Sequence, residues 1–280
     1  MKKIINLLLA IILSLTIFSC GSNTIEGDPE YFSKKAFEEV VDGKRLVFVL
    51  VQEGSTDVLL TWDRINQTYV DVGITASTKY SGDITVPATV EHNGVTYNVT
   101  GVDDYAFFYC TNLTGVTVPE GVKTWGNYEF IRSTNIKTVY LPSTITNMTE
   151  IPYAYFAKYT KLVKCHIPNV TSIADSAFFS CSSLTDINIP EGVTKIGRFA
   201  FAKNSKLSEI TLPSTLTYIG DNCFYGNSLM LKIHVKATTP PTLGDLYQYA
   251  NKATLYVPIG CKSVYGANSL WGQFKTIIEE

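Results

Sequence analysis

The sequence predicts a repeat solenoid that is β-rich, with short helical turns and a small N-terminal β cap. Three observations predict it: a proline that recurs at a nearly fixed interval, apolar residues at constant offsets before each proline, and a phenylalanine after it. The prolines are spaced by 23, 26, 22 and 23 residues. Such a period is typical of a solenoid, in which one supersecondary unit stacks on its copies. These prolines are Pro119, Pro142, Pro168, Pro190 and Pro213.

The residues before each proline predict a short strand with one buried face. Apolar residues stand one and three positions before it and alternate with polar residues, which is the period of such a strand. Proline cannot donate to a sheet ladder, so it ends the strand. The residues three before are Val116, Val139, Cys165, Ile187 and Ile210; those one before are Val118, Leu141, Ile167, Ile189 and Leu212.

The residues after each proline predict a turn, a second apolar pair and a phenylalanine in a short helical turn. In the longer repeat after Pro142, we expect Thr149 to Pro152 to bulge from the coil. The phenylalanines are Phe130, Phe156, Phe178, Phe201 and Phe224.

One coil of this kind is too small to fold alone. Burying about four large side chains contributes roughly 6–12 kcal/mol. Ordering about 23 residues costs roughly 35 kcal/mol. Coils must therefore share buried faces and strand hydrogen bonds with their neighbours.

The two ends of the array predict caps. Residues 32–80 are expected to form a small β cap that includes a hairpin at Asp42-Gly43 and strands at Val58 to Trp62 and Tyr69 to Ile74. The solenoid spans 81–258, with a second hairpin inserted at Asn93-Gly94. Residues 259–280 are expected to cover the last coil with Trp271, Phe274 and Ile277.

Composition excludes one class of partner. The formal net charge is -2 and only 17% of the residues are charged. The sequence has no stripe of lysine and arginine, which nucleic acid binding requires. We therefore expect no nucleic acid partner.

The N-terminus resembles a bacterial lipoprotein precursor. Lys2 and Lys3 precede an apolar run from Ile4 to Phe18, too short for the ~20 residues of a membrane-spanning helix. Ser19 and Cys20 fit the lipobox of such precursors. The resemblance implies a signal peptide over 1–19, a lipid anchor in the membrane at Cys20 and a tether over 20–31. The alternative is a plain secretory signal with a chance cysteine.

The repeats resemble those of BspA-like leucine-rich repeat surface proteins. The segments Leu184-Thr185-Asp186-Ile187-Asn188-Ile189-Pro190 and Ile196-Gly197-Arg198-Phe199-Ala200-Phe201 carry the resemblance. It implies a right-handed solenoid on the outer membrane or cell surface of gut or oral bacteria. It also implies an adhesin-like role, with a host matrix or cell-surface protein or a glycan as partner.

The sequence predicts no catalytic residue, no metal site and no cofactor. Beyond Cys20, five cysteines are scattered through the repeats, which is not a disulfide framework. We interpret them as small buried apolar residues. The histidines lack a partner in any recognisable motif. A glycosidase pair assembled from distant coils stays open as an alternative.

The candidate binding residues lie on the outward side of the predicted strands. Stacking places equivalent residues in rows about 4.8 Å apart. Rows of aromatic and hydrogen-bonding groups suit an extended protein segment or a glycan. The alternatives are an ordinary solvated sheet face and an envelope scaffold without an external ligand. The candidates are Tyr140, His166, Asn188, His234 and Tyr256, with Asp186 and Glu209 in the adjacent row.

Overall fold

The computed structural model describes residues 36–52, 54–61, 80–127, 130–244 and 251–280. The predicted signal peptide, Cys20, the tether and the strand at Tyr69 to Ile74 lie outside these residues. Within them the chain is a β-solenoid, as predicted. Among the described residues, no helix combines the length and the apolar character needed to cross a membrane.

The N-terminal sheet joins the predicted cap to the first coil. Both predicted hairpins form, and Asp42, Gly43, Asn93 and Gly94 all have positive φ, as their tight turns require. The strand order is β1-β2-β3-β6-β5, and β3 pairs in parallel with β6. The sheet therefore contains strands from both sides of the predicted boundary at residue 80. Its strands are β1 (Ala36–Val41), β2 (Lys44–Leu50), β3 (Asp57–Thr61), β5 (Thr89–His92) and β6 (Val95–Val102).

The proline-marked strands form the front of the solenoid in two parallel sheets. The first has the order β13-β11-β9-β7-β4, and the second the order β15-β17-β19-β20. We call the two together the front sheet. Its strands are β4 (Gly82–Thr85), β7 (Leu113–Thr117), β9 (Thr138–Tyr140), β11 (Lys164–His166), β13 (Asp186–Asn188), β15 (Glu209–Leu212), β17 (Lys232–Val235), β19 (Thr254–Val257) and β20 (Thr276–Glu279).

The front sheet is open at one place that the repeat pattern does not indicate. Almost all Cα–Cα distances between β13 and β15 exceed 8 Å, whereas paired strands lie about 4.8 Å apart. We call this opening between Asp186–Asn188 and Glu209–Leu212 the front cleft. The coils on its two sides remain stacked elsewhere, because Phe178 and Phe201 lie with ring centroids 5.3 Å apart.

The second apolar pair of each coil forms a rear sheet of two-residue strands. It runs without interruption from β10 to β18. β8 (Thr124–Trp125) lies in the equivalent place of an earlier coil but pairs with β6 instead. The strands of the rear sheet are β10 (Glu150–Ile151), β12 (Ser172–Ile173), β14 (Lys195–Ile196), β16 (Tyr218–Ile219) and β18 (Thr242–Leu243).

The expected bulge at Thr149 to Pro152 is wrong. Glu150 and Ile151 form β10, and Ile151 is fully buried. The extra residues of this coil lie just before β10 instead. There the Asn147 side chain accepts a hydrogen bond from Trp125 N and donates one to Trp125 O. The Asn147 amide thereby satisfies the backbone N–H and C=O groups of Trp125 in β8, as a neighbouring strand would.

The phenylalanines stack along the axis as predicted, but the turns that hold them are not helical. Residues two before and two after the ring have positive φ, for example Ala154 and Lys158 around Phe156. Such angles interrupt the run of right-handed dihedrals that a helix needs. The same residues donate to the next coil, as in Ala154 N to Asp175 O at 3.2 Å and Lys158 N to Phe179 O at 2.7 Å.

Glycines after the rear strands allow the coils to approach closely. A Cβ on Gly197 would lie 2.5 Å from Asp175 N, and one on Gly220 would lie 2.6 Å from Arg198 N. Only glycine leaves room for the preceding coil's backbone at this distance. The glycine of the Ile-Gly pair is therefore a packing residue.

The C-terminal residues pack onto the last coil. They form α1 (Lys262–Ala267), a 3-10 turn at Trp271–Gln273 and β20, which extends the front sheet beside β19. The Trp271 side chain is fully buried, and its Nε1 donates to Pro241 O at 2.8 Å. The Tyr265 hydroxyl donates to Ala237 O at 2.7 Å.

The five described cysteines are buried and free, which confirms their interpretation as apolar core residues. Burial raises the pKa of Cys181 to about 12. Burial also raises the pKa of Cys165 well above its ordinary value. These thiols therefore stay protonated and unreactive at neutral pH.

Candidate binding face

The front sheet presents the candidate residues to solvent because its side chains alternate between core and surface. In β9 and β11, Val139 and Cys165 are buried, whereas Tyr140 and His166 point outward. Parallel pairing in register places Tyr140 beside His166 and His166 beside Asn188. The predicted row therefore exists on this part of the sheet.

One group of candidates lies on β9, β11 and β13. The rings of Tyr140 and His166 stack with centroids 4.4 Å apart and planes inclined by 10°. Asn188 Nδ2 lies 3.5 Å from His166 Nδ1. In the adjacent row, Lys164 Nζ lies 2.8 Å from Asp186 Oδ2, and both side chains are more than half exposed. The hydrogen bond to Asp186 raises the pKa of Lys164.

A second group lies on the other side of the front cleft. The rings of His234 and Tyr256 stack with centroids 4.3 Å apart and planes inclined by 5°. His234 Nδ1 lies 2.7 Å from Glu280 Oε1. Its Nε2 lies 3.4 Å from Glu209 Oε1, a distance typical of an ion pair but without hydrogen-bond geometry. Glu209 also pairs with Lys232, at 3.2 Å.

The front cleft therefore divides the seven candidates into two groups. Tyr140, His166, Asn188 and Asp186 lie on one side, and Glu209, His234 and Tyr256 on the other. In both groups a tyrosine and a histidine cover one face of each other's ring. The ring edges open to a ligand are those of Tyr140, His166 and Tyr256, which are at least partly exposed. His234 is closed to a ligand, because its Nδ1 lies 2.7 Å from Glu280 Oε1 and its Nε2 is buried.

Sequence reasoning missed the contribution of Glu280 to the second group. The repeat contained a signal for it, because Glu280 stands 22 residues after Pro258, and Ile277 stands 22 after Leu255. The last coil thus keeps the period, with a glutamate in the place of the proline. The absence of that proline concealed the strand.

The chemistry of the face is polar and nearly neutral in charge. Each of the two acidic candidates is paired with a lysine, and their side chains are 55% and 51% exposed. A glycosidase acid is instead enclosed in an apolar pocket that keeps it protonated. Among the described residues, no cluster of histidine, cysteine, aspartate and glutamate has a geometry that would hold a metal ion.

Comparison with known families decides the identity of the repeats. The sequence profile of the BspA type leucine rich repeat region matches residues 89–169 and 149–265, in six copies. The chain belongs to the BspA-type leucine-rich repeat family. The match covers more than half of the chain and includes every candidate residue of the binding face. It does not include Cys20.

Three solved structures of bacterial leucine-rich repeat proteins are similar to this BspA-type chain. The protein from T. pallidum is 21% identical, over 79% of this chain and 86% of that one, with a TM-score of 0.48. The protein from Bacteroides ovatus is 17% identical, over 84% and 77%, with a TM-score of 0.42. A leucine rich cell surface protein from Faecalibacterium prausnitzii is 23% identical, over 75% and 56%, with a TM-score of 0.45.

These similarities are too distant to transfer a ligand, so the family assignment rests on the sequence profile. The BspA-type chain spans little more than half of the F. prausnitzii protein. No curated protein matches the chain.

Proposed function

We propose that this BspA-type protein is a non-catalytic binding protein of the bacterial cell surface. In this proposal a lipid on Cys20 anchors it in the outer membrane, and the front sheet faces a protein or glycan partner. The observation that carries the proposal is the pair of stacked Tyr-His groups on the solvent side of the front sheet. They place hydrogen-bonding ring edges in ordered positions on a rigid scaffold.

The ring stacking favours recognition of a protein over recognition of a glycan. A sugar binds an aromatic side chain mainly through the open face of the ring. Here one face of each ring is already covered by its partner, at 4.4 Å for Tyr140 and His166 and at 4.3 Å for His234 and Tyr256. Ring edges, amides and paired charges remain, and these groups suit the polar rim of a protein interface.

The test is the combined substitution of Tyr140, His166 and His234 by alanine. Binding of the full chain to arrays of matrix proteins and glycans is measured before and after substitution. We expect binding to fall by about tenfold or more, because rigid aromatic groups contribute most to such interfaces. The matched control is Lys195→Ala with Tyr218→Ala, a cation-ring pair on the rear sheet, which should leave binding unchanged.

Three outcomes would contradict the proposal. Unchanged binding by a folded triple variant would exclude these side chains as the binding site. Absence of binding to every array, with the protein exposed on cells, would favour the envelope scaffold. Turnover of a polysaccharide that is lost on Asp186→Asn or Glu209→Gln would favour a carbohydrate-active enzyme.

The anchor is tested separately. We expect metabolically added palmitate to label the full-length protein and Cys20→Ala to abolish the label, because the acyl group is attached at that sulfur. Protease treatment of intact cells should remove the protein if it faces outward.

A further inference from the structure

The front cleft is a bounded opening between coils that remain joined elsewhere. Behind it, β14 and β16 pair in register, and Phe178 N donates to Ala200 O at 2.8 Å. At one end, Ser205 Oγ donates to Ser182 O at 3.3 Å. At the other end, Ser214 Oγ donates to Glu191 Oε2 at 2.8 Å. The cleft is therefore a slot in the face, about one strand long.

Backbone hydrogen-bonding groups face into the cleft from both walls. Asp186 N donates to Val163 O, so Asp186 faces β11. Because successive residues of a strand alternate in direction, the N–H and C=O groups of Ile187 face the cleft.

On the other wall of the cleft, Leu212 O accepts a hydrogen bond from Lys236 N, so the backbone groups of Leu212 face away from the cleft. The same alternation turns Glu209 and Thr211 toward the cleft.

The missing hydrogen bonds are present at the neighbouring coils. At the start of each of these front strands, backbone N–H groups donate to a backbone carbonyl of the preceding coil. Lys164 N donates in this way to Lys137 O, and Lys232 N donates to Ser208 O. Between the fully described strands β13 and β15, no backbone hydrogen bond of this kind joins Ser208 or Glu209 to Thr185. Both walls thus carry groups that a strand would satisfy.

The floor of the cleft includes an apolar side chain that is less covered than its equivalents. Ile187 is only partly buried, whereas Val139, Cys165 and Ile210 in the same row are 2%, 1% and 2% exposed. The ion pairs Lys164–Asp186 and Lys232–Glu209 lie along the two rims. An apolar floor between polar rims is the arrangement that recognises alternate side chains of an extended chain.

We propose that the front cleft binds one extended segment of a partner polypeptide by β-strand addition. One added strand needs about 9.6 Å between its two neighbours, which is twice the strand spacing. The segment would pair with Ile187 on one side and with Glu209 and Thr211 on the other, and would cover Ile187. This inference rests on the proposed binding function and names the partner as a peptide, because a glycan lacks alternating N–H and C=O groups.

The test compares two substitutions at Thr211 in the full chain. Random displayed peptides of about ten residues are selected on the unmutated protein, and their affinities are then measured on the variants. Thr211→Pro removes the N–H group that faces the cleft and is expected to weaken binding by about tenfold. Thr211→Ala keeps that group and is expected to weaken binding much less than Thr211→Pro, so the difference between the two variants measures the contribution of the N–H group.

A second measurement needs no protein variant. N-methylation of the peptide amides, one at a time, should abolish binding at those amides that pair with the walls and leave it intact at the flanking ones. Equal affinity of Thr211→Pro and Thr211→Ala, together with tolerance of every N-methyl group, would overturn the proposal. Failure to select any peptide would overturn it as well.

The two proposals can fail separately. Peptides that bind the triple variant of Tyr140, His166 and His234 but not Thr211→Pro would support the cleft and contradict the side-chain face. Peptides lost in the triple variant but retained by Thr211→Pro would overturn the cleft and support the face. Binding only to glycans would overturn the cleft.

Discussion

Single residues set how closely the coils stack. The glycines that follow β14, β16 and β18, which are Gly197, Gly220 and Gly244, stand where the backbone of the preceding coil passes. At Gly220, an added Cβ would lie 2.6 Å from Arg198 N and 2.7 Å from Gly197 C, both backbone atoms. Because backbone cannot move aside as a flexible side chain can, this position excludes even the smallest side chain.

Gly220→Ala is therefore expected to destabilise the protein by about 1–3 kcal/mol through overpacking. Urea unfolding followed by tryptophan fluorescence measures the change. The matched control is Gly266→Ala in α1, where an added Cβ meets no atom within 4 Å. That control should be neutral or should stabilise the helix by up to about 1 kcal/mol. Equal destabilisation by both substitutions would contradict the packing role.

The sequence predicted the buried residues well but not the local conformations between them. Apolar columns and the phenylalanine row follow from the period, because any stacked repeat must bury them. Lys158 and Lys203 have positive φ, although lysine carries no local preference for it. Hydrogen bonds to the next coil impose this conformation, and such bonds are invisible to single-residue propensities.

Turns after the proline also bind one coil to the next, through paired side chains. Glu120 accepts a hydrogen bond from Ser143 N and another from the Ser143 hydroxyl, each at 3.1 Å. The Ser143 N–H bond is the main cause that lowers the pKa of Glu120. Glu191 and Ser214 repeat the arrangement three coils further along.

The lowered pKa makes the stability contribution of Glu120 pH-dependent. A carboxyl whose pKa is lower in the folded state stabilises the fold above its unfolded pKa, near 4.3, and loses that effect as the pH falls through the folded pKa. We expect Glu120→Gln to lower the urea midpoint at pH 7 and to match the unmutated chain near pH 3. Ser143→Ala, which keeps the N–H donor, should have the smaller effect. A pH-independent difference would contradict the assignment.

The prediction from the sequence misplaced one element, the rear strand of the coil after Pro142. The coil after Pro142 has extra residues, and two registers of apolar residues compete for the rear strand. Met148 fits the spacing from proline, but Ile151 forms the strand. Only the neighbouring coil decides between them, because β12 pairs with Ile151 through Ile173.

The whole molecule is one stack that is joined at the rear and along the phenylalanine row but is open at the front cleft. The repeat period predicted the stack, and the same period predicted an uninterrupted front sheet. No residue of β13 or β15 departs from the apolar pattern of the repeat, so the period contains no signal for the opening. This division places the candidate residues in two groups and provides two walls for an added strand.

Amide hydrogen exchange of the free protein, read residue by residue by NMR, tests this account most directly. A stack that is joined along the phenylalanine row but open at the front cleft predicts slow exchange at Phe178 and Phe201, whose N–H groups donate to the next coil. It predicts exchange at Ile187, Glu209 and Thr211 that is faster by about 100-fold or more, since no strand protects them. Equal protection of both sets would show that the front sheet is closed, and would contradict the cleft and the peptide site built on it.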